Sequence, residues 1–171
     1  MDAAGRLTWP YAEGVNAVSS AALKRLARLD VAALDALHAT AQCPEPEDLV
    51  GVLDGAVLSG TLAANPWRRL RVWRGKELHS SGDVVRGRNR LGLGPLEFRQ
   101  FSFTARRARS SFSDRDVVLL DHDEPGNPSW VRRFHDELVE VAPGIHLATS
   151  HHRTPQGLRH LAHFALVGPR G

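Results

Sequence analysis

Two spacings of hydrophobic residues divide the chain. Ala22, Leu23, Leu26 and Leu29, then Leu34, Leu37 and Ala41, recur at three to four positions, the period of an amphipathic helix. Ser19 or Ser20 supplies an N-cap, and Asp30 supplies a second one part-way along. The segment Cys43-Pro44-Glu45-Pro46 ends the helical stretch, because proline lacks an N–H and restricts its predecessor. Past Pro46 the apolar runs become short, rich in Val, Leu, Phe and Trp, and broken by Gly and Pro. They predict strands at 55–62, 70–79, 84–92, 95–105, 116–122, 145–151 and 158–167. Within 95–105, Leu96 and Phe98 share one face while Phe101 and Phe103 share the other. That change of phase predicts a β-bulge near Arg99-Gln100, a device that bends a strand in a closing barrel. In 130–141, Val131, Phe134, Leu138 and Val141 repeat at three to four, which predicts a short helix.

These elements describe one domain over residues 1–171: an irregular arm at 1–18, a helical segment at 19–42 and a β-barrel or strongly curved sheet at 50–167. The length fits a single domain. With 42% hydrophobic and 24% charged residues the composition is that of an ordinary globular protein. The formal net charge of +3 raises the question of nucleic acid. The basic residues are nearly all Arg, with Lys24 and Lys76 the lysines, and they are interleaved with Asp and Glu. The densest group, Arg106, Arg107 and Arg109, is too small for the basic stripe that tracks phosphates. One cysteine, Cys43, excludes an intrachain disulfide and a cysteine-based zinc site and suits a reducing compartment. No charged region followed by an apolar run opens the chain, and no apolar run approaches the roughly 20 residues of a membrane span. The expected location is the cytoplasm.

Several short motifs from Leu34 onward occur in a familiar order. They are Leu34-Asp35-Ala36-Leu37, then Asp54-Gly55, then Trp73-Arg74-Gly75-Lys76-Glu77-Leu78 and Asn89. Leu120-Asp121-His122 follows, then His135-Asp136-Glu137-Leu138-Val139-Glu140-Val141-Ala142-Pro143-Gly144-Ile145-His146-Leu147-Ala148, and last Phe164-Ala165-Leu166. In this order the chain resembles an uncharacterised bacterial family of small calycin-like barrels. The resemblance implies a mainly β fold, a calycin-like antiparallel barrel with an N-terminal helical segment, and no particular chemistry. The departures from the family pattern bear more on function. Histidine stands where the family has tyrosine at 122 and 146, and His135 stands where it has arginine. The family's Phe after Gly-Lys is spread over Glu77 and Leu78. Three positions thus carry groups that titrate near neutral pH.

The candidate chemistry gathers around these positions. Lys76 in a β run beside Trp73 calls for an anionic partner, and Asp136 and Glu137 are the candidates. The plainer reading of such a cluster is a salt bridge that closes the barrel. Asp121 and His122 end an apolar strand and point to opposite faces, so at most one looks inward. His146 shares a face with Ala148 and Ser150. His151-His152 and His160-x-x-His163 suggest metal or haem, but on strands each pair splits between faces, so no metal site is expected. Gly92-Leu93-Gly94 lacks the Lys-Ser/Thr of a phosphate loop, there is no Gly-x-Ser-x-Gly elbow, and Cys43 has no evident base beside it.

The expectation is therefore a cofactor-independent enzyme, a cyclase, isomerase or lyase, acting on a small hydrophobic molecule in a barrel cavity. The expected catalytic set is His146, His122, Asp121, Asp136 and Glu137. The expected ligand-binding set is Trp73, Lys76, Asn89, Phe101, Phe103 and Trp130, with Lys76 or Asn89 polarising a substrate oxygen. A non-catalytic binding protein for a hydrophobic molecule is the alternative, and a haem-binding barrel a more distant one. No cofactor, nucleic acid or membrane partner is expected, and a homodimer is left open.

Overall fold

The computed structural model describes residues 21–60 and 72–170. The expected arm at 1–18 and the caps at Ser19 or Ser20 lie outside the described residues. Residues 21–26 are helical (α1), and a second helix, α2, spans Val31–Thr40. Asp30 caps α2 as its position predicts: its side chain accepts from the Ala33 N–H at 2.8 Å. A 3-10 turn at Pro46–Leu49 then leads into the sheet.

Eight strands follow: β1 Gly51–Gly60, β2 Trp73–Ser81, β3 Val84–Leu93, β4 Leu96–Arg109, β5 Asp116–Asp121, β6 Phe134–Ala142, β7 Ile145–Thr154 and β8 Gly157–Arg170. Each pairs antiparallel with the next and β8 returns to pair with β1, so the sheet closes into a barrel. The fold is mainly β, an eight-stranded antiparallel barrel with two short helices on its N-terminal side. All seven expected strands are present, with the expected ends 61–62 and 70–71 lying outside the described residues. The eighth, β6, occupies most of the stretch whose spacing predicted a helix. Its inward residues are Phe134, Asp136 and Leu138, and its outward residues His135, Glu137 and Val139. A polar residue on the inward face and an apolar one on the outward face broke the alternation that marks a strand. The helical tendency survives only in a 3-10 turn at Val131–Arg133.

Alternation along the other strands produces two apolar layers. The inner one fills one end of the barrel with Leu53, Leu78, Val85, Phe103, Val118, Leu120, Leu138 and Leu166. The outer one places Leu26 and Leu34 from the helices against Val117, Val139, Ile145, Leu147 and Ala165. The helices thus cover the outside of the β5–β8 wall and leave the interior to the strands.

The predicted bulge in β4 is real and centres on Phe101. Arg88 pairs with Ser102 but Asn89 with Gln100, so Phe101 is the extra residue. It is also the non-glycine residue with positive φ, 59°, among those described. Such a conformation costs of order 1–3 kcal/mol and persists only where its surroundings hold it. Two glycines make room for rings within the barrel. A Cβ on Gly87 would lie 2.3 Å from Phe103, and one on Gly55 would lie 2.4 Å from Trp73. Among the described residues no helix is long and apolar enough to cross a membrane.

Candidate functional site

The end of the barrel opposite the filled core is hollow. A cavity of about 530 Å³ is walled mainly by Trp73, Leu91, Phe101, Val131, Phe134 and Phe164. Trp73 meets Phe164 edge-on at 5.2 Å between centroids. Trp130, Phe101 and Phe134 form a second aromatic group, with Trp130 5.4 Å from Phe101 and 6.0 Å from Phe134. Trp130 is 54% exposed and lines the cavity, so it stands at the boundary with solvent.

The floor is polar. Lys76, Asn89, His122, Asp136 and Ser150 reach it from five different strands or strand ends. Lys76 is buried, and its ammonium donates to Asn89 Oδ1 at 3.0 Å, to Asp136 Oδ2 at 3.2 Å and to His122 Nε2 at 3.5 Å. Its remaining surroundings are rings, with Phe103 4.6 Å and Phe164 5.5 Å from Nζ. Asn89 is the hub. Its Oδ1 also accepts from Trp73 Nε1 at 3.0 Å, and its Nδ2 donates to the Phe101 carbonyl at 3.1 Å and toward His122 Nε2 at 3.4 Å. The strained backbone of Phe101 is therefore tied directly to the floor.

Burial sets the charges. It pushes the His122 imidazole down to about 4, and the Lys76 ammonium beside it works in the same direction. His122 is thus neutral near pH 7 and accepts hydrogen bonds at Nε2. Burial lowers Lys76 as well, while Asp136 opposes the shift. For Asp136, burial alone would raise the carboxyl. The charge of the Lys76 ammonium outweighs it and holds the group below its ordinary value, with the Ser150 hydroxyl acting in the same direction. The floor is an ion pair flanked by a neutral imidazole.

The expected site residues divide among three places. Lys76, Asn89, His122 and Asp136 come together at the floor, and Trp73, Phe101 and Trp130 line the walls. Phe103 is fully buried in the packed layer beneath Lys76 and does not line the cavity. His146 also faces inward but sits toward the other end, 4.0 Å from Glu140, away from the cavity lining. Glu137 and Asp121 face outward, because each neighbours an inward residue on its strand. Asp121 bonds Arg153 at 3.2 Å. Glu137 accepts from Ser110, Ser111 and His135 at 2.7–2.9 Å, and these bonds outweigh burial to push it down to about 2. Among the cavity residues that escaped the sequence reading are Leu91, Phe134, Ser150 and Phe164. Reading 134–138 with period two places Phe134 on the face of Asp136, and this was the missed signal.

The outer face carries a row of histidines that the sequence divided wrongly. β8 slips register between His160, opposite His151, and Ala162, opposite Ser150. That bulge at Leu161 puts His160 and His163 on the same outward side, with centroids 4.7 Å apart, where a regular strand would split them. His151 lies 5.3 Å from His160 and 6.5 Å from His135. The row ends on carboxylates: His135 donates to Glu137 at 2.9 Å and His163 to Asp35 of α2 at 2.8 Å. His38 of α2 donates to the Glu137 carbonyl at 2.9 Å. The row therefore fastens α2 to the barrel. No group of three or more ligating side chains among the described residues is arranged to hold a metal ion.

No protein-family model and no curated protein matches the chain. Among solved structures, the chain is similar to a protein from Thermomonospora curvata, at 13% identity and a TM-score of 0.53, over 83% of this chain and 89% of that one. At that identity the likeness shows the barrel fold alone.

Proposed function

We propose that the protein binds a small, largely apolar organic molecule inside the barrel, with its polar end on the Lys76–Asp136 floor. The observation that carries this reading is the pairing of an aromatic-walled cavity of about 530 Å³ with a buried charged floor. The volume falls in the usual range for small-molecule sites, about 300–1,000 Å³, and apolar walls with a few placed polar groups are their ordinary lining. Protein interiors are otherwise close-packed, so a void this large has a physical reason when a ligand occupies it. Titration with 2-naphthol, followed by methyl NMR, tests the reading. Shifts should concentrate at Val57, Leu91 and Val131, which line the cavity, and spare Leu34 and Val139 in the outer layer. Absent shifts, or shifts centred on the outer layer, contradict it.

His122 supports a second, more specific reading: a cofactor-independent enzyme such as a cyclase, isomerase or lyase. A neutral imidazole on a cavity floor becomes a general base when a substrate hydrogen displaces the long Lys76 and Asn89 contacts at Nε2, which otherwise fix the orientation of its ring. In this reading Lys76 is a positioning residue, since its three N–H groups already have acceptors. Any ligand recovered with the protein, incubated in D2O, would exchange a carbon-bound hydrogen with solvent. His122→Phe would slow that exchange by about 10²–10⁴-fold, while His146→Phe would not. A bound ligand that never exchanges leaves the protein a carrier.

A further inference from the structure

We infer that the molecule held in this cavity is uncharged and presents a hydroxyl or N–H donor to Asp136. The inference rests on the proposed cavity function and narrows its ligand class.

The donors of the floor are spent. All three ammonium protons of Lys76 point to protein acceptors: Asn89 Oδ1, Asp136 Oδ2 and His122 Nε2. The Asn89 amide donates to Phe101 and toward His122, and Trp73 Nε1 donates to Asn89. The Ser150 hydroxyl adjoins the Asp136 carboxylate and helps keep it ionised. A ligand carbonyl or ether oxygen would have to displace one of these bonds or turn the Ser150 hydroxyl away from the carboxylate.

One acceptor of the floor is not spent. Asp136 is 4% exposed and lines the cavity, yet its Oδ1 makes no hydrogen bond. A buried carboxylate oxygen without a donor carries an uncompensated desolvation cost, which a ligand donor would relieve. His122 Nε2 has one lone pair, and the long contacts from Asn89 and Lys76, at 3.4 and 3.5 Å, already share it.

Charge narrows the class again. Lys76 already balances Asp136, and His122 is neutral, so the floor has no spare charge. An anionic ligand would meet the Asp136 carboxylate, and a cationic one the Lys76 ammonium, each at the cost of burying an uncompensated charge. An uncharged alcohol, phenol or N–H compound meets neither penalty.

Three probes of one skeleton separate the outcomes by calorimetric titration at about pH 7: 2-naphthol, 2-methoxynaphthalene and 2-naphthoate. The expected order has 2-naphthol tightest, by at least about tenfold over the methyl ether, since a hydrogen bond to a charged group is worth about one to two decades in affinity. The naphthoate should bind most weakly. Asp136→Asn should shrink the gap between the first two; should that variant not fold, the wild-type series decides alone. Equal affinity of naphthol and its methyl ether, or preference for the naphthoate, overturns this inference and leaves the cavity reading standing. Failure of all three to bind overturns both.

Discussion

Lys76 and Asp136 face one another inside the barrel, Nζ 3.2 Å from Oδ2, with side chains only 2% and 5% exposed. They come from β2 and β6, strands on different parts of the barrel wall. Each is an expensive group to bury alone, and together they are the polar centre of an apolar interior.

Removing one partner should therefore harm more than removing both. Lys76→Met leaves a buried carboxylate without its cation and should cost about 3–5 kcal/mol, read from the urea midpoint. Lys76→Met combined with Asp136→Leu should recover most of that loss and lose the preference for hydroxyl-bearing probes. A double variant as unstable as the single one contradicts the pairing. A double variant that keeps the hydroxyl preference assigns the pair to barrel closure instead.

Acid should loosen the protein before its carboxylates titrate. A histidine with a pKa lowered by burial binds its proton more readily in the unfolded chain. Its stabilisation is whole above the ordinary value of 6.5 and is lost as pH falls toward the folded value. Burial places that value at about 4 for His122 and, with His160 adding to it, for His151. It lowers His38, His146 and His163 as well. His122 contributes at most on the order of 3 kcal/mol in this way, and the less deeply buried His151 less. Glu137, held at about 2, adds its loss only below the ordinary carboxylate range. The urea midpoint should fall steadily from pH 6.5 to 4.5, and a midpoint that is flat across this interval contradicts the buried, neutral state of these rings.

Gly55 tests the wall. A methyl there would lie 2.4 Å from the Trp73 ring and 2.7 Å from the Gly75 Cα. Gly55→Ala must push Trp73 aside, costing about 1–3 kcal/mol and disturbing the indole bond that orients Asn89. Both stability and probe affinity should drop. Wild-type values for both would show that Trp73 is not fixed as described.

Leu34 provides the contrast. It is fully buried, but under α2 on the outside of the barrel. Leu34→Ala should cost about 2–5 kcal/mol and leave probe affinity unchanged in the folded fraction. A loss of affinity there would tie the outer layer to the site.

These contrasts also explain what the sequence made legible. The capping Asp30, the seven strands and the bulge expected near Arg99-Gln100 rest on local signals, and each is present, the bulge at the adjoining Phe101. The floor was legible in part: a lone lysine in a β run implies a buried partner, and Asp136 is that partner. Glu137 and Asp136 could not be told apart while 130–141 read as a helix, since only strand alternation sends one inward and the other out. The outer histidine row was misread for a similar reason. It depends on a bulge at Leu161, and nothing in Leu161-Ala162 departs from an ordinary strand. His146 looks inward as expected, but position along a strand, unlike its face, follows from the barrel's register, which no local pattern encodes.

The central claim is that the cavity is the binding site, and filling it tests that most directly. Ala162 lines the cavity and is buried on β8. Native mass spectrometry with 2-naphthol should show one molecule bound per wild-type chain and none bound to a folded Ala162→Phe variant, whose ring occupies the space. An adduct of equal intensity on the variant would place the ligand elsewhere and contradict the account.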